Sequence, residues 1–69
     1  MSPITLRVRE LREARGWSQA ELARRAGVQR VTITLIEGHR TKGVDFETLE
    51  KLSGALEVDP GYLIVRRGR

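Results

Sequence analysis

Arginine is the residue with which this chain is best equipped to do chemistry. Residues 1–40 hold eight Arg, four Glu and no Lys, whereas residues 41–69 hold five basic and five acidic residues, so the entire net charge of +4 falls in the first forty positions. Guanidinium groups keep their protons near neutral pH and act by binding anions, often through two N–H donors at once. Such an excess fits a polyanionic partner such as nucleic acid; solvated helix faces would give the same count. The means for catalysis are thin by contrast. There is no Cys and one His, His39, which removes thiolate nucleophiles, disulfides and a histidine-built metal site. The carboxylates fall where helix caps and surface charges belong, and none pairs with a nucleophile. The sequence therefore predicts no enzyme, no metal, no cofactor and no small-molecule ligand.

The elements that must position these arginines are short helices with clear start signals. Ser18-Gln19-Ala20-Glu21 has the capping-box pattern, in which the Ser18 hydroxyl accepts from the Glu21 amide and the Glu21 side chain returns a bond to Ser18. Trp17 and Leu22 flank it as a hydrophobic staple, and Gly27 supplies a left-handed stop after Ala26. Asp45 starts a second such helix over 46–56, with Phe46, Leu49, Leu52 and Leu56 at the spacing of one apolar face. Asp59 followed by Pro60 starts a third, shorter one. Residues 8–15 read as a first helix with Val8 and Leu11 inward and Gly16 as its stop.

Residues 28–37 are harder to place, because Val31 to Thr34 is a β-branched run. A strand does not fit between two capped helices in so small a protein, and as a helix the segment turns Val28, Ile33 and Ile36 inward. Arg30, Val31, Thr34 and Leu35 then share the outer face. Ile4, Leu6 and Val8 alternate like a strand, as do Leu63 and Val65, which predicts a short strand pair joining the two ends, within or between subunits.

Sixty-nine residues make one domain, and a core of that size is marginal without disulfides or metal, so a homodimer is expected on stability grounds alone. The longest apolar run is Leu63-Ile64-Val65, far short of the roughly 20 residues that cross a bilayer. With no signal-peptide pattern in the N-terminal segment, a cytoplasmic protein without membrane contact is expected.

Two helices joined by a turn at Gly27 make a helix-turn-helix. Ser18-Gln19-Ala20-Glu21-Leu22-Ala23, Gly27-Val28, Thr32-Ile33 and Ile36-Glu37 together resemble the Cro/CI-type (Xre-like, lambda-repressor-like) helix-turn-helix family. The resemblance runs over residues 6–64, since 45–49 and 56–63 fit the family's fourth and fifth helices. It implies an all-α fold of five short helices and a transcriptional regulator, most simply a repressor, that binds double-stranded DNA as a dimer on a pseudo-palindromic operator. In that family the third helix enters the major groove and the second crosses the phosphate backbone.

Carried onto this sequence, the resemblance makes Arg30, Val31, Thr34 and Leu35 the base-reading positions. Arg30 is suited to guanine O6 and N7 or to a phosphate, Thr34 to a base or a phosphate, and Val31 and Leu35 to thymine methyls. Ser18, Gln19, Gln29, His39, Arg40, Thr41 and Lys42 become backbone contacts. Arg12 and Glu37 match an internal ion pair of the family. Leu52, Leu56, Tyr62, Leu63, Ile64 and Val65 lie in the region through which relatives dimerise. Leu35 is apolar where the family usually has a polar residue, which leaves open a second reading: an antitoxin or adaptor of the same fold that meets a protein partner, such as a toxin or polymerase.

Overall fold

The structure, a computed structural model, describes residues 4–38 and 43–66, with side chains over 6–38 and 43–64. In chain order it contains strand β1 (Ile4–Leu6), helices α1 (Val8–Ala14), α2 (Gln19–Ala26), α3 (Arg30–Glu37), α4 (Phe46–Leu56) and α5 (Pro60–Leu63), and strand β2 (Ile64–Arg66). The five helices predicted from caps and periodicity are all present. The strand pair forms within one chain: β1 and β2 run antiparallel, with Ile4 opposite Arg66 and Leu6 opposite Ile64. None of the described helices is long and apolar enough to cross a membrane.

The boundaries follow local chemistry. Ser18 Oγ accepts from the Glu21 amide at 3.0 Å, and Gly27, at φ 73°, closes α2 with its amide donating to the Ala23 carbonyl. Only half of the expected capping box forms, however. The Glu21 carboxylate turns away from Ser18 and binds Arg24 at 2.5 Å and Arg25 at 2.6 Å, because two cations one turn along attract it more than a neutral amide does. Asp45 caps α4 by accepting from the Thr48 amide at 2.9 Å. Asp59 makes no side-chain cap bond, and α5 begins on Pro60 alone. Helix α3 starts at Arg30, two residues later than the apolar pattern suggested, since Gln29 has extended backbone at φ −80°, ψ 147°. At the end of α4 the left-handed position is filled by Glu57, at φ 60°.

Val8, Leu22, Ala23, Ala26, Ile33, Ile36, Leu52, Leu56 and Leu63 form one core to which every helix contributes. Ala23 and Ala26 let α2 and α3 cross closely, as small residues at a helix contact do. Leu52, Leu56 and Leu63 are each 0% exposed in the single chain. They cannot offer surface to a second copy, and the expectation that they form a dimer interface is corrected: their apolar bulk is spent holding α4 and α5 on the domain. Phe46 departs in the opposite sense. It stands at the first position of α4, ahead of the core-facing stripe, and is 68% exposed.

Candidate nucleic-acid interface

Helices α2 and α3, joined by residues 27–29, form the helix-turn-helix. Ile33 and Ile36 anchor α3 in the core from one side. The opposite side presents Arg30, Val31, Thr34 and Leu35, all exposed, with Val31 at 55% and Leu35 at 39%. The structure thus brings the four outward residues predicted from the sequence onto one helical surface. Ser18 and Gln29 are also exposed, at the starts of α2 and α3. His39, Arg40, Thr41 and Lys42 lie outside the described residues.

Beneath this face sits a charged bolt. The Glu37 side chain is 0% exposed, at the end of α3. It accepts from Arg12 Nε at 2.7 Å and Arg12 Nη2 at 3.0 Å, from Arg9 Nε at 3.3 Å and from Gln19 Nε2 at 3.1 Å. Arg12 spends a further donor, Nη1, on the Trp17 carbonyl at 2.7 Å. The network thereby ties α1, the turn before α2, α2 itself and α3 together. Burial works to raise the Glu37 carboxyl, but the bonds from Arg12, Gln19 and Arg9 outweigh it and hold the group below the usual carboxylate range. Its bond to Glu37 holds the Arg12 guanidinium above its ordinary value, against the pull of burial. Among the described residues no buried side-chain polar atom lacks a partner, so the bolt is fully satisfied, the condition under which a buried ion pair rigidifies rather than weakens.

Gln19, expected to grip a phosphate, is already engaged. Its Nε2 faces Glu37 and its Oε1 lies 3.0 Å from Thr34 Oγ1. This bridge between α2 and α3 was not visible in the sequence, where Gln19 and Thr34 are fifteen positions apart and share no local pattern. Arg9 as a second cation on Glu37 was missed as well, although its place three residues before Arg12 on one helix face is a signal that a pair search could use.

A helix-turn-helix family model matches residues 8–63. The chain belongs to the Cro/CI-type helix-turn-helix family. No curated protein matches it in sequence. Among solved structures it is similar to SinR, of Bacillus subtilis, described as the master regulator for biofilm formation and seen in complex with DNA. The identity is 33% and the TM-score 0.76, over 80% of this chain and 87% of that one. SinR in a complex with SinI gives 33% identity and a TM-score of 0.75, over 78% of this chain but 52% of that one. The DNA-binding domain of the P22 C2 repressor gives 36% and 0.72, over 81% and 72%. For this member of the Cro/CI-type family the fold is that of DNA-binding transcription regulators.

Proposed function

We propose that this chain is a sequence-specific double-stranded DNA-binding protein, acting as a transcriptional repressor from a homodimer on a pseudo-palindromic operator. The observation that carries the reading is the exposed face of α3 (Arg30, Val31, Thr34 and Leu35) on a helix fixed from behind by the Glu37 bolt. Arg30 binds guanine O6 and N7, and Val31 and Leu35 meet thymine methyls. Ser18 and Gln29, with the His39–Lys42 segment, hold phosphates on either side. Tyr62 and Ile64, 50% and 42% exposed, supply surface for the second copy, which sets two α3 helices about 34 Å apart in successive major grooves. Such a regulator works in the cytoplasm and represses by occupying its site.

Selection of bound sequences from a random duplex pool tests this. An inverted repeat is expected, and on it Arg30→Ala costs about 1–3 kcal/mol and relaxes one base position per half-site. No enrichment at low salt would sink the proposal. The apolar exposure of Val31 and Leu35 favours one other reading, an antitoxin or adaptor whose α3 face docks on a protein, and the presence of a protein partner in the SinR/SinI complex is in keeping with it. Salt separates the two: duplex binding weakens steeply as counterions are restored, whereas an apolar protein contact holds.

A further inference from the structure

The hydroxyl of Thr34 lies on the outward face of α3, and its surroundings dictate where its single proton goes. Among the described residues two atoms stand within hydrogen-bond reach, Gln19 Oε1 at 3.0 Å and the Arg30 carbonyl at 3.2 Å. Both only accept, so the proton is committed to them and only a lone pair remains for anything else. The Gln19 amide is not free to reverse. Glu37, with its side chain 0% exposed, is an acceptor-only carboxylate, and it requires Nε2 on its side at 3.1 Å. A flipped amide would set oxygen against a buried carboxylate, which is far costlier than any gain at the surface. Gln19 Oε1 must therefore face Thr34, and the buried charge fixes the polarity of an exposed hydroxyl two side chains away.

We propose that Thr34 is a specificity-determining residue that works only as a hydrogen-bond acceptor, selecting adenine N6 or cytosine N4 over guanine or thymine at one position of each half-site. The inference builds on the duplex-binding reading above. In the major groove the guanine edge offers O6 and N7 and the thymine edge O4, all acceptors, while adenine and cytosine each offer an amino group. Phosphate oxygens accept too, so the same polarity takes Thr34 away from the backbone. A hydroxyl free to rotate would serve either kind of edge; this one serves one.

The test uses pool selection with the full chain and its Thr34→Ser and Thr34→Val variants, followed by binding to four duplexes that differ at the affected position. Adenine or cytosine is expected there for the wild type, with a preference of about five-fold, the size of one neutral hydrogen bond. Thr34→Ser keeps the preference and Thr34→Val, similar in shape but without the hydroxyl, abolishes it. A wild type that selects guanine or thymine at the position sensitive to Thr34→Val overturns the inference, as does a Thr34→Val profile identical to wild type. A wild type that enriches no sequence sinks the duplex-binding reading and this one with it. In the free protein the clamp has its own readout by NMR: Gln19 side-chain amide protons exchange more slowly than those of exposed Gln29. Equal exchange at the two overturns the clamp whatever the DNA result.

Discussion

Replacing Arg12 with Met keeps most of the aliphatic stem but strips Glu37 of its two shortest bonds, at 2.7 and 3.0 Å. What remains is Gln19 at 3.1 Å and Arg9 at 3.3 Å, the latter 60% exposed and screened by solvent. Removing one partner of a buried ion pair costs about 3–5 kcal/mol. The surviving donors bring Arg12→Met to the lower end of that range, about 3 kcal/mol, with about 1 kcal/mol more for the lost bond to the Trp17 carbonyl. A domain of this size has a total stability of about 3–10 kcal/mol, so the variant gives up a large share of it. Glu37→Met costs less, about 2 kcal/mol, because the freed guanidinium of Arg12 can turn towards water. With both replaced no buried charge is left unpaired, and the double variant is expected to be more stable than Arg12→Met alone. Acid gives a second arm. The folded-state carboxyl of Glu37 is held below its ordinary value of 4.5, so on acidification the unfolded chain takes up its proton first. The stabilisation is whole above about pH 4.5 and drains away as pH falls through the folded value. Urea denaturation followed by helical circular dichroism, at pH 7 and pH 3.5, measures both. An Arg12→Met cost below about 1 kcal/mol, the worth of a surface pair, would refute the reasoning. So would a double variant that loses the sum of the two single costs.

Other perturbations separate local causes. Gly27→Ala meets no atom within 4 Å of its new Cβ but is forced to φ 73°, so it should lose about 1–2 kcal/mol from backbone strain alone, read as a lowered urea midpoint. Glu57→Gly relieves the same strain at φ 60° and, after the entropy that glycine adds to the unfolded chain, should gain about 0.5–1 kcal/mol, read as a raised Tm. Ser18→Ala removes a formed cap and should cost about 1 kcal/mol, whereas Asp59→Ala removes none and should leave the denaturation curve unmoved. On a selected operator, the slope of log affinity against log salt should be steep and negative, and a slope near zero would turn the reading towards the protein-docking alternative.

What the sequence made legible was whatever short-range chemistry decides. Ser18, Gly27 and Asp45 marked ends that the fold keeps, because a cap or a left-handed glycine is a bond between neighbours in the chain. The outward set on α3 was legible for a related reason: once Ile33 and Ile36 face inward, geometry leaves Arg30, Val31, Thr34 and Leu35 nowhere else to point. Glu57 gave no sign of its left-handed turn, since glutamate has no preference for it and the bond that closes the helix there runs between backbone groups, Val58 N–H to the Ser53 carbonyl. Phe46 fitted an apolar stripe by spacing yet stands outside it, because at a helix start the neighbours that would cover it are not one turn back. Leu52, Leu56 and Leu63 fall in the region through which relatives dimerise, but a resemblance locates a region and is silent on which of its side chains the chain's own core covers. The bonds of Gln19 to Glu37 and Thr34 depend on how two helices cross, which no local pattern encodes.

The antiparallel ladder between β1 and β2 has a mechanical corollary. Ile4 and Arg66 face each other at its outer end, so force applied between those two residues opens the pairs one after another, as in a zipper, instead of shearing all of them together. Once Leu6 and Ile64 part, the next bond in line is the Arg7 amide on the Leu63 carbonyl, 2.9 Å, and behind it lie Val8 and Leu63, both in the core. A molecule tethered through these two points should therefore yield at low load, and its first rupture should loosen α1 and α5 while the helix-turn-helix stays assembled.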